Sequence, residues 1–459
     1  MRNVPDGPVE PKGLPAGEID HLFAGLTSFS SLALAVSGGA DSLTLLVLFS
    51  EWKRRTHWQG AAEVLCVDHG LRPESASEAA FVARVAAEHG LTCAILRWDG
   101  EKPGRNIQEE ARHARYRLIA AHMEQEGHEA LLLGHHLDDQ AETFLDRLTR
   151  GSGISGLAAM APDETAGPFG LRLLRPFLGV PKARLESSLR ERGLSWSEDP
   201  SNRNRRYKRS RLRRILELLA EEGLTADRIA RTSGHMRRAR EALEETAQDL
   251  VGRHVVEHPA GPLKVSREVF RGIAPDLRMR FLCRLIEHVT AQRPRPRFEK
   301  LRTLDALLME KANCRHTLAG ALFAADTQTI WCWKEPGRVP PETLTVEAGG
   351  GIWDNRFRYS GSGSGGEGEG PSVPLKLGPL FRAPVSAKEI SWPEGWPREA
   401  FDCAPVFWNA GGEVLGSSVT AELGLDRSGR SAVLILERVP FRCKLSRNPI
   451  DEEDADGEI

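Results

Sequence analysis

The first third of the chain repeats one pattern, a short apolar run followed by an amphipathic stretch. The apolar runs are residues 32–36, 62–67, 92–98 and 130–134, and the amphipathic stretches are residues 43–55, 76–89, 107–124 and 139–149. Short apolar runs between turn residues predict buried strands, and the longer stretches predict helices. Strands that alternate with helices predict an α/β fold, with an open parallel Rossmann-like sheet covered by helices on both faces.

The pattern changes twice in the rest of the chain. Residues 225–311 include long charged amphipathic runs at 236–250 and 277–289, which predict a helical domain. Residues 317–333, 351–359 and 431–441 are aromatic and β-branched between turn residues, which is typical of strands. We therefore expect three parts: a parallel-sheet domain over residues 1–215, a helical domain over 216–330 and a small strand-rich region over 331–459. Residues 360–370 predict a flexible linker, and the chain ends in an acidic tail.

Composition narrows the class of protein. Charged residues make up 27% and hydrophobic residues 40% of the 459, which is the balance of a globular protein. No apolar stretch approaches the ~20 residues that span a bilayer, and the proline-rich start lacks the apolar centre of a secretory signal. We predict no membrane passage and a cytoplasmic location. The net charge of only −2 means that a nucleic-acid partner must be bound by a local basic patch.

The seven cysteines are scattered, and no two have C-x-x-C spacing. This spacing predicts no zinc site and no disulfide framework.

A glycine turn joins the first predicted strand to the first predicted helix. It consists of six consecutive residues, Ser37, Gly38, Gly39, Ala40, Asp41 and Ser42. Backbone N–H groups at the start of a helix favour an anion such as phosphate, although Ser-Gly-Gly alone is also a permissive turn. A carboxylate beside bound phosphate is repelled unless a divalent cation lies between them, so Asp41 favours a magnesium nucleotide. No Gly-Lys-Ser/Thr follows, which excludes the Walker P-loop.

Two more polar clusters follow predicted strands. His69 comes after the second strand, and Asp138, Asp139 and Glu142 come after the fourth. Each cluster alone could be a solvated loop or a helix cap, because aspartate is a common N-cap. Parallel strands deliver both clusters to the same edge of a sheet, which favours a functional site. The carboxylates could hold magnesium or remove a proton, and a neutral histidine could relay charge.

These motifs resemble a known family. The segment SGGADS is similar to the pyrophosphate-binding loop of the PP-loop ATP pyrophosphatases, which cleave ATP to AMP and pyrophosphate. Together with GHHLDDQAET at 134–143, RGSG at 150–153, GLAAM at 156–160, EEARHARYR at 109–117, LRPF at 174–177 and WSEDPSN at 196–202, it resembles the tRNA(Ile)-lysidine synthase family. The likeness is strong up to about residue 214, and beyond it is limited to layout and to fragments such as TLAG at 317–320.

The resemblance implies a reaction and its site. ATP would adenylate the first anticodon cytidine of tRNA(Ile) with a CAU anticodon, and the side-chain amine of L-lysine would then displace AMP to form lysidine. Residues 1–215 would be the PP-loop catalytic domain and 216–330 a tRNA-binding domain. ATP would bind the loop of residues 37–42, Mg²⁺ would bind Asp41 and Asp138, and catalysis would use Asp41, Asp138, Asp139, Glu142 and His69.

A basic segment is a candidate for tRNA binding. Seven arginines and Lys208 lie between Arg203 and Arg214. A basic run is often only a solvated face, but a tyrosine among the arginines could stack on an unpaired base. We expect tRNA contacts from seven residues: Arg112, Arg115, Arg150, Arg205, Arg206, Tyr207 and Arg209. For the first three, ion pairs on helix surfaces are the alternative. Ser210 stands where the family commonly has asparagine, so this position keeps a hydroxyl donor but loses the amide.

Three alternatives remain. A tRNA thiolase of the same superfamily would need paired cysteines or an iron–sulfur cluster, and the scattered cysteines argue against it. An amidotransferase-type synthetase would need a glutaminase domain, and Arg2 rather than a nucleophilic cysteine follows Met1. A non-catalytic RNA-binding relative is disfavoured by the intact loop and the Asp138–Asp139 pair. The oligomeric state stays open, with a homodimer as one option.

Overall fold

The computed structural model describes the fold over most of the chain. The described residues are 11–71, 75–100, 102, 107–165, 167–197, 208–292, 296–337, 340–346, 350–361, 375–415, 417, 419, 421–423, 425 and 434–438. They form two compact units that divide between Arg240 and Glu241. The predicted boundaries at residues 215 and 330 stay a prediction.

The first unit alternates strands and helices along its length. Its elements are α1 (Ala16–Phe23), β1 (Ser31–Ala35), α2 (Ala40–Arg55), β2 (Ala61–Asp68), α3 (Ser75–Glu88), β3 (Thr92–Arg97), α4 (Ile107–Glu126), β4 (Ala130–Leu132), α5 (Leu137–Leu148), α6 (Ile154–Leu157), β5 (Asp163–Glu164), β6 (Leu173–Leu174), α7 (Lys182–Arg190) and α8 (Lys208–Glu221), followed by α9 (Ala226–His254), which contains the division between the units. Short 3₁₀ helices occupy Ala24–Ser28 and Pro168–Gly170.

One six-stranded sheet organises this unit, in the order β3-β2-β1-β4-β6-β5. All neighbours are parallel except β5 and β6. The order reverses at β1, because the chain moves outward through β2 and β3 and then returns to β4 on the other side of β1. Ligands of open α/β sheets bind at such a switch point, beyond the carboxyl ends of the strands.

Helices cover both faces of the sheet, as the sequence pattern predicts. Leu32 and Leu34 of β1 pack into a core with α1, α2, α3 and α7, whereas Ala33 between them packs with Tyr116 and Ile119 of α4 on the other face. This alternation follows from the two-residue period of a strand. The predicted parallel-sheet fold is therefore confirmed.

The second unit is richer in strands than its helical sequence pattern indicates. Its elements are β7 (Val255–Glu257), β8 (Leu263–Ser266), α10 (Arg267–Gly272), α11 (Pro275–Thr290), α12 (Phe298–Glu310), β9 (Cys314–Leu318), β10 (Ala321–Ala325), β11 (Thr329–Lys334), β12 (Leu344–Thr345), β13 (Gly351–Trp353), β14 (Phe357–Gly361), β15 (Leu375–Pro379), β16 (Pro405–Asn409), β17 (Val414–Leu415) and β18 (Leu434–Arg438).

Three antiparallel sheets hold this unit together. A sheet of order β7-β8-β11-β10-β9 packs against α11 and α12, and sheets of order β12-β15-β16-β17 and β13-β14-β18 follow. The expected helices and C-terminal strands are both present. The predicted linker begins inside β14, whose last residues pair with β18, and residues 362–370 and the acidic tail lie outside the described residues.

Candidate active site

The loop after β1 is shaped to bind an anion. Gly38 has φ +85°, a left-handed conformation that glycine adopts without strain, and Gly39 is the N-cap of α2. The Ser42 hydroxyl accepts a hydrogen bond from the Ser37 N–H at 3.1 Å and donates to the Gly39 carbonyl at 3.0 Å, which fixes the turn. From the other side, the Ser197 N–H donates to the Gly38 carbonyl at 3.1 Å. The first N–H groups of α2 have no acceptor within the helix, so they can bind phosphate oxygens.

The end of β4 lies directly against the start of α2. A Cβ atom added at Gly134 would lie 2.7 Å from the carbonyl oxygen of Asp41. Only a residue without a side chain allows this approach. It brings the loop that follows β4 beside the loop that follows β1, at the switch point of the sheet.

His136 links the carboxylates of the two loops. Its Nε2 lies 3.5 Å from a carboxylate oxygen of Asp41 and 3.5 Å from one of Asp139, and its Nδ1 lies 3.5 Å from one of Asp138. The His136 side chain is 2% exposed. Burial alone would lower the pKa of His136, but the contacts with Asp138 and Asp41 and the charge of Asp139 raise it to about 10. His136 is therefore a buried cation among three carboxylates.

Lys182 brings a second cation to this centre. Its backbone N–H donates to Asp138 Oδ2 at 2.9 Å, and its Nζ lies 4.0 Å from Asp41 Oδ2. Burial would raise the pKa of Asp138, but His136 and the Lys182 N–H lower it, so the carboxylate is ionised. Three carboxylates face two cations, which leaves negative charge for a further cation.

One oxygen in this centre fits a metal ion. Asp41 Oδ1 is buried and has no hydrogen-bond partner among the residues that the structure describes. An ionised oxygen without a partner is costly to bury. Hard cations such as Mg²⁺ prefer carboxylate oxygen ligands. Asp41 therefore has the donor chemistry that the predicted magnesium would need, beside the loop that suits phosphate.

Two buried contacts fix the orientation of α5. Glu142, 4% exposed, forms an ion pair with Arg213 Nε of α8 at 2.5 Å. Gln140 donates to the Met160 carbonyl and accepts from the Met160 N–H, each at 2.8 Å. Burial opposes the charge of Arg213, but Glu142, Asp139 and Asp41 raise the pKa of its guanidinium. Glu142 thus has a cationic partner, Arg213, whose charge is also stabilised by Asp139 and Asp41.

His69 lies in a separate pair with Arg115. Arg115 NH2 approaches His69 Nε2 at 3.2 Å, and the His69 ring lies edge-on to Trp98. Burial and the positive charge of Arg115 lower the pKa of His69 to about 4. His69 is therefore neutral near pH 7 and accepts through Nε2. No contact in the described part of the chain joins this pair to Asp41.

The other residues predicted to contact tRNA either make local contacts or have no described side chain. The Arg112 guanidinium lies over the Tyr116 ring, 5.2 Å from its centre. Arg150 forms an ion pair with Asp146, one turn earlier, at 3.2 Å, as the helix-surface alternative proposes. Arg205, Arg206 and Tyr207 lie outside the described residues, and Arg209 is placed in α8 without a described side chain.

The sequence left three residues of this centre unassigned: His136, Lys182 and Arg213. His136 lies inside the GHHLDD motif, so its position at the end of a strand was a usable signal. Lys182 and Arg213 are distant in sequence, and neither stands in a motif that indicates contact with Asp41 or Glu142.

Comparison with known proteins agrees with this geometry. Residues 16–219 match the family model described as a PP-loop domain. A tRNA(Ile)-lysidine synthase of Bradyrhizobium sp. is 39% identical over 71% of this chain and 96% of its own length. A tRNA(Ile)-lysidine synthase of Wolbachia pipientis is 33% identical over 74% of this chain and 80% of its own.

A solved structure shows a weaker likeness. It is a U34-tRNA thiolase of Methanococcus maripaludis with a [4Fe-4S] cluster, 17% identical, with a TM-score of 0.41 over 48% of this chain and 77% of that one. Across the described part of the chain, no helix has the length and apolar character needed to cross a membrane.

Proposed function

The chain belongs to the tRNA(Ile)-lysidine synthase family, and on that premise we propose that the centre around His136 performs both steps of lysidine formation. ATP adenylates the carbonyl oxygen of the first anticodon cytidine of tRNA(Ile), releasing pyrophosphate. The side-chain amine of L-lysine then attacks the activated carbon and AMP leaves. The meeting of Asp41 and His136, 3.5 Å apart at the switch point, is the observation that carries this proposal.

The first step needs groups that bind the phosphates of ATP and that stabilise the negative charge developing on the leaving pyrophosphate. The N–H groups of residues 38–42 bind pyrophosphate oxygens, and the dipole of α2 favours their charge. Lys182 Nζ, beside Asp41, is a second donor for the same oxygens. Fixed donors that need no reorganisation stabilise the leaving group as its charge grows.

The predicted Mg²⁺ would be held by Asp41 and Asp138. When bound, it neutralises phosphate charge and favours the leaving of pyrophosphate. Asp41 is suited to this role because Oδ1 is unpartnered, and Asp138 because its oxygens are kept ionised.

The second step needs an anionic place for a cationic lysine and a base for its proton. Asp139 and Glu142 lie on successive turns of α5 and offer carboxylates to the ammonium group. An ammonium ion must lose a proton before its nitrogen can attack a carbon, so one carboxylate serves as the general base. The Glu142 side chain is 4% exposed and that of Asp139 is 19% exposed, so Asp139 is the more accessible of the two and is favoured for this role.

The tRNA contacts, the cellular location and the assembly complete the proposal. We assign the CAU anticodon loop to the basic segment of residues 203–214 and to Arg112, Arg115 and Arg150. Cytoplasmic action and a homodimer stay predictions from the sequence.

One reaction tests the function. The full chain is incubated with ATP, Mg²⁺, labelled lysine and tRNA(Ile) carrying a CAU anticodon, and tRNA(Met) with the same anticodon is the control substrate. Label should enter tRNA(Ile) alone, and one AMP should form for each lysine. Asp41→Asn should abolish both products, whereas Asp227→Asn, at an exposed i,i+4 pair on α9, should leave them unchanged.

The rival functions give other results. AMP formation without lysine transfer indicates a different acceptor, as in a thiolase. Binding of tRNA without AMP or label indicates a non-catalytic RNA-binding protein.

A further inference from the structure

A second cluster of metal-binding side chains lies away from the centre around His136. Glu63 is near the start of β2, His122 is near the end of α4, and His128 lies in the turn that leads to β4. In a parallel sheet these positions are at the amino edge. Glu63 is five residues before the end of β2, so the two edges are roughly 16 Å apart along the strand.

Three ligand atoms converge in this cluster. His122 Nε2 lies 2.8 Å and His128 Nε2 lies 3.1 Å from the same oxygen, Glu63 Oε2. All three atoms lie within 4.8 Å of one another. A tetrahedral Zn²⁺ with bonds of ~2.1 Å holds its ligand atoms ~3.4 Å apart, so side-chain shifts of about an ångström or less would admit the ion.

The surroundings prepare these atoms as ligands. His128 Nδ1 lies 2.8 Å from the Ser31 hydroxyl, and a ligating histidine commonly donates its other ring N–H to such an outer partner. His128 Nε2 faces the Glu63 carboxylate, which only accepts hydrogen bonds, so this nitrogen donates in the metal-free protein and must release its proton to solvent when an ion binds. Glu63 lies between the two imidazoles and supplies a carboxylate oxygen as the third ligand.

The cluster is largely buried but still accessible to solvent. The side chains of His128, His122 and Glu63 are 6%, 19% and 21% exposed. The partial exposure of His122 and Glu63 lets a small ion enter from solvent. Two histidines with one carboxylate form a ligand set that selects Zn²⁺ and related ions over Mg²⁺, which prefers oxygen alone.

We propose that Glu63, His122 and His128 form a binding site for Zn²⁺ or a related divalent transition-metal ion, separate from the nucleotide site. The ion would tie the end of α4 and the start of β4 to β2, and so stabilise the first unit. Cysteine spacing gives no signal for this site, because it contains no cysteine.

The test uses metal-free full-length protein in excess Mg²⁺, which occupies the acidic nucleotide site. Co²⁺ is added and its visible absorption followed, then Zn²⁺ is added to displace it. One equivalent of Co²⁺ with the strong absorption of a tetrahedral site is expected, and Zn²⁺ should raise the melting temperature.

Two variants separate a metal site from a hydrogen-bonded cluster. Glu63→Gln keeps an oxygen that can accept from both histidines but removes the anionic ligand, and His122→Gln removes one imidazole. Each should weaken metal binding at least about tenfold and remove the shift in melting temperature. His21→Gln, at an exposed histidine of α1, is the matched control and should bind as the parent does.

Two results overturn the proposal. One is the absence of metal binding by the parent protein, with no change in melting temperature. The other is equal binding by the parent and by both cluster variants. The readouts do not involve lysine transfer, so they are independent of the proposed function.

Discussion

At the scale of the single residue, His136 is the charge on which the loops after β1 and β4 depend. It is 1% exposed and lies 3.5 Å from each of three carboxylates. Like charges so close together repel, and a buried cation between them offsets this repulsion. The loops after β1 and β4 therefore hold their arrangement through one protonated ring.

The charge of His136 predicts a pH dependence of stability. The pKa is about 10 in the folded protein and 6.5 is its ordinary value, so the contribution is complete below pH 6.5 and is lost as the pH rises toward 10. Urea unfolding of metal-free protein should show the free energy of unfolding falling across this window. For one proton the slope is at most ~1.4 kcal/mol per pH unit.

His136→Gln should remove this part of the slope, and His21→Gln should keep it. A slope that is the same in the parent and in His136→Gln would show that His136 is not charged in the folded protein.

Gly134 predicts a steric effect on the same centre. In Gly134→Ala the new methyl group would lie 2.7 Å from the Asp41 carbonyl, so the start of α2 must move. We expect a loss of about 1–3 kcal/mol of stability. A displacement of about 1 Å at a catalytic group can cost ~100-fold in rate, so kcat for lysine transfer should fall by that order.

Gly179→Ala is the matched change, because nothing lies within 4 Å of its added Cβ. It should alter stability by less than ~1 kcal/mol and leave kcat unchanged. Parental activity in Gly134→Ala would mean that the contact of β4 with α2 does not position Asp41.

Some residues of this centre can be predicted from the sequence and others cannot, for a physical reason. Asp41 and Asp138 each lie in the first turn of the helix that follows a strand, so the strand-turn-helix pattern alone delivers them to one edge. Lys182 and Arg213 reach the same place through the packing of α7 and α8. Such contacts are long-range, and no local period encodes them. The neutral state of His69 likewise depends on burial and on Arg115, which belong to the folded chain.

At the scale of the element, α5 is held by hydrogen bonds to the backbone of a loop. Gln140 satisfies both the N–H and the carbonyl of Met160, and its side chain is buried. Gln140→Leu keeps the volume and leaves both groups without these bonds. Each buried polar group without a partner costs about 1–3 kcal/mol, so we expect a loss of at least ~2 kcal/mol in urea unfolding.

Gln248→Leu on α9 is the control, because its side chain is exposed and it makes the same change of residue type. It should stay within about 0.5 kcal/mol of the parent. Equal stability of the two variants would show that the Gln140 bonds contribute little net energy.

The elements themselves were predictable where the sequence pattern is strict. The boundaries of the four predicted strand and helix pairs all lie within three residues of those of β1 to β4 and α2 to α5, since each buried strand is a bounded apolar run. The strands β7 and β8 were not predicted, because they are three and four residues long and follow a 29-residue helix. A strand this short is defined by its neighbours in the sheet more than by its own sequence.

At the scale of the whole molecule, RNA binding requires a local concentration of positive charge. The net charge is −2, so attraction to a polyanion depends on where the arginines lie. Seven of them lie in the segment from Arg203 to Arg214, which comes after α7 in sequence and continues into α8.

Replacing Arg205 and Arg206 by alanine should therefore weaken tRNA binding and reduce its salt dependence. Each lost phosphate contact lowers the slope of log K against log salt by ~0.7–0.9, so loss of both should lower it by about 1.5. Binding of tRNA(Ile) is measured between 50 and 200 mM salt, a range that is ~fourfold and wide enough to resolve this slope. Arg54→Ala with Arg55→Ala removes the same charge from the far end of α2, and that variant should keep the parental slope. Equal slopes in all three proteins would place the tRNA outside the segment and would leave the remaining basic residues, Arg112 and Arg115 first, to be tested in the same way.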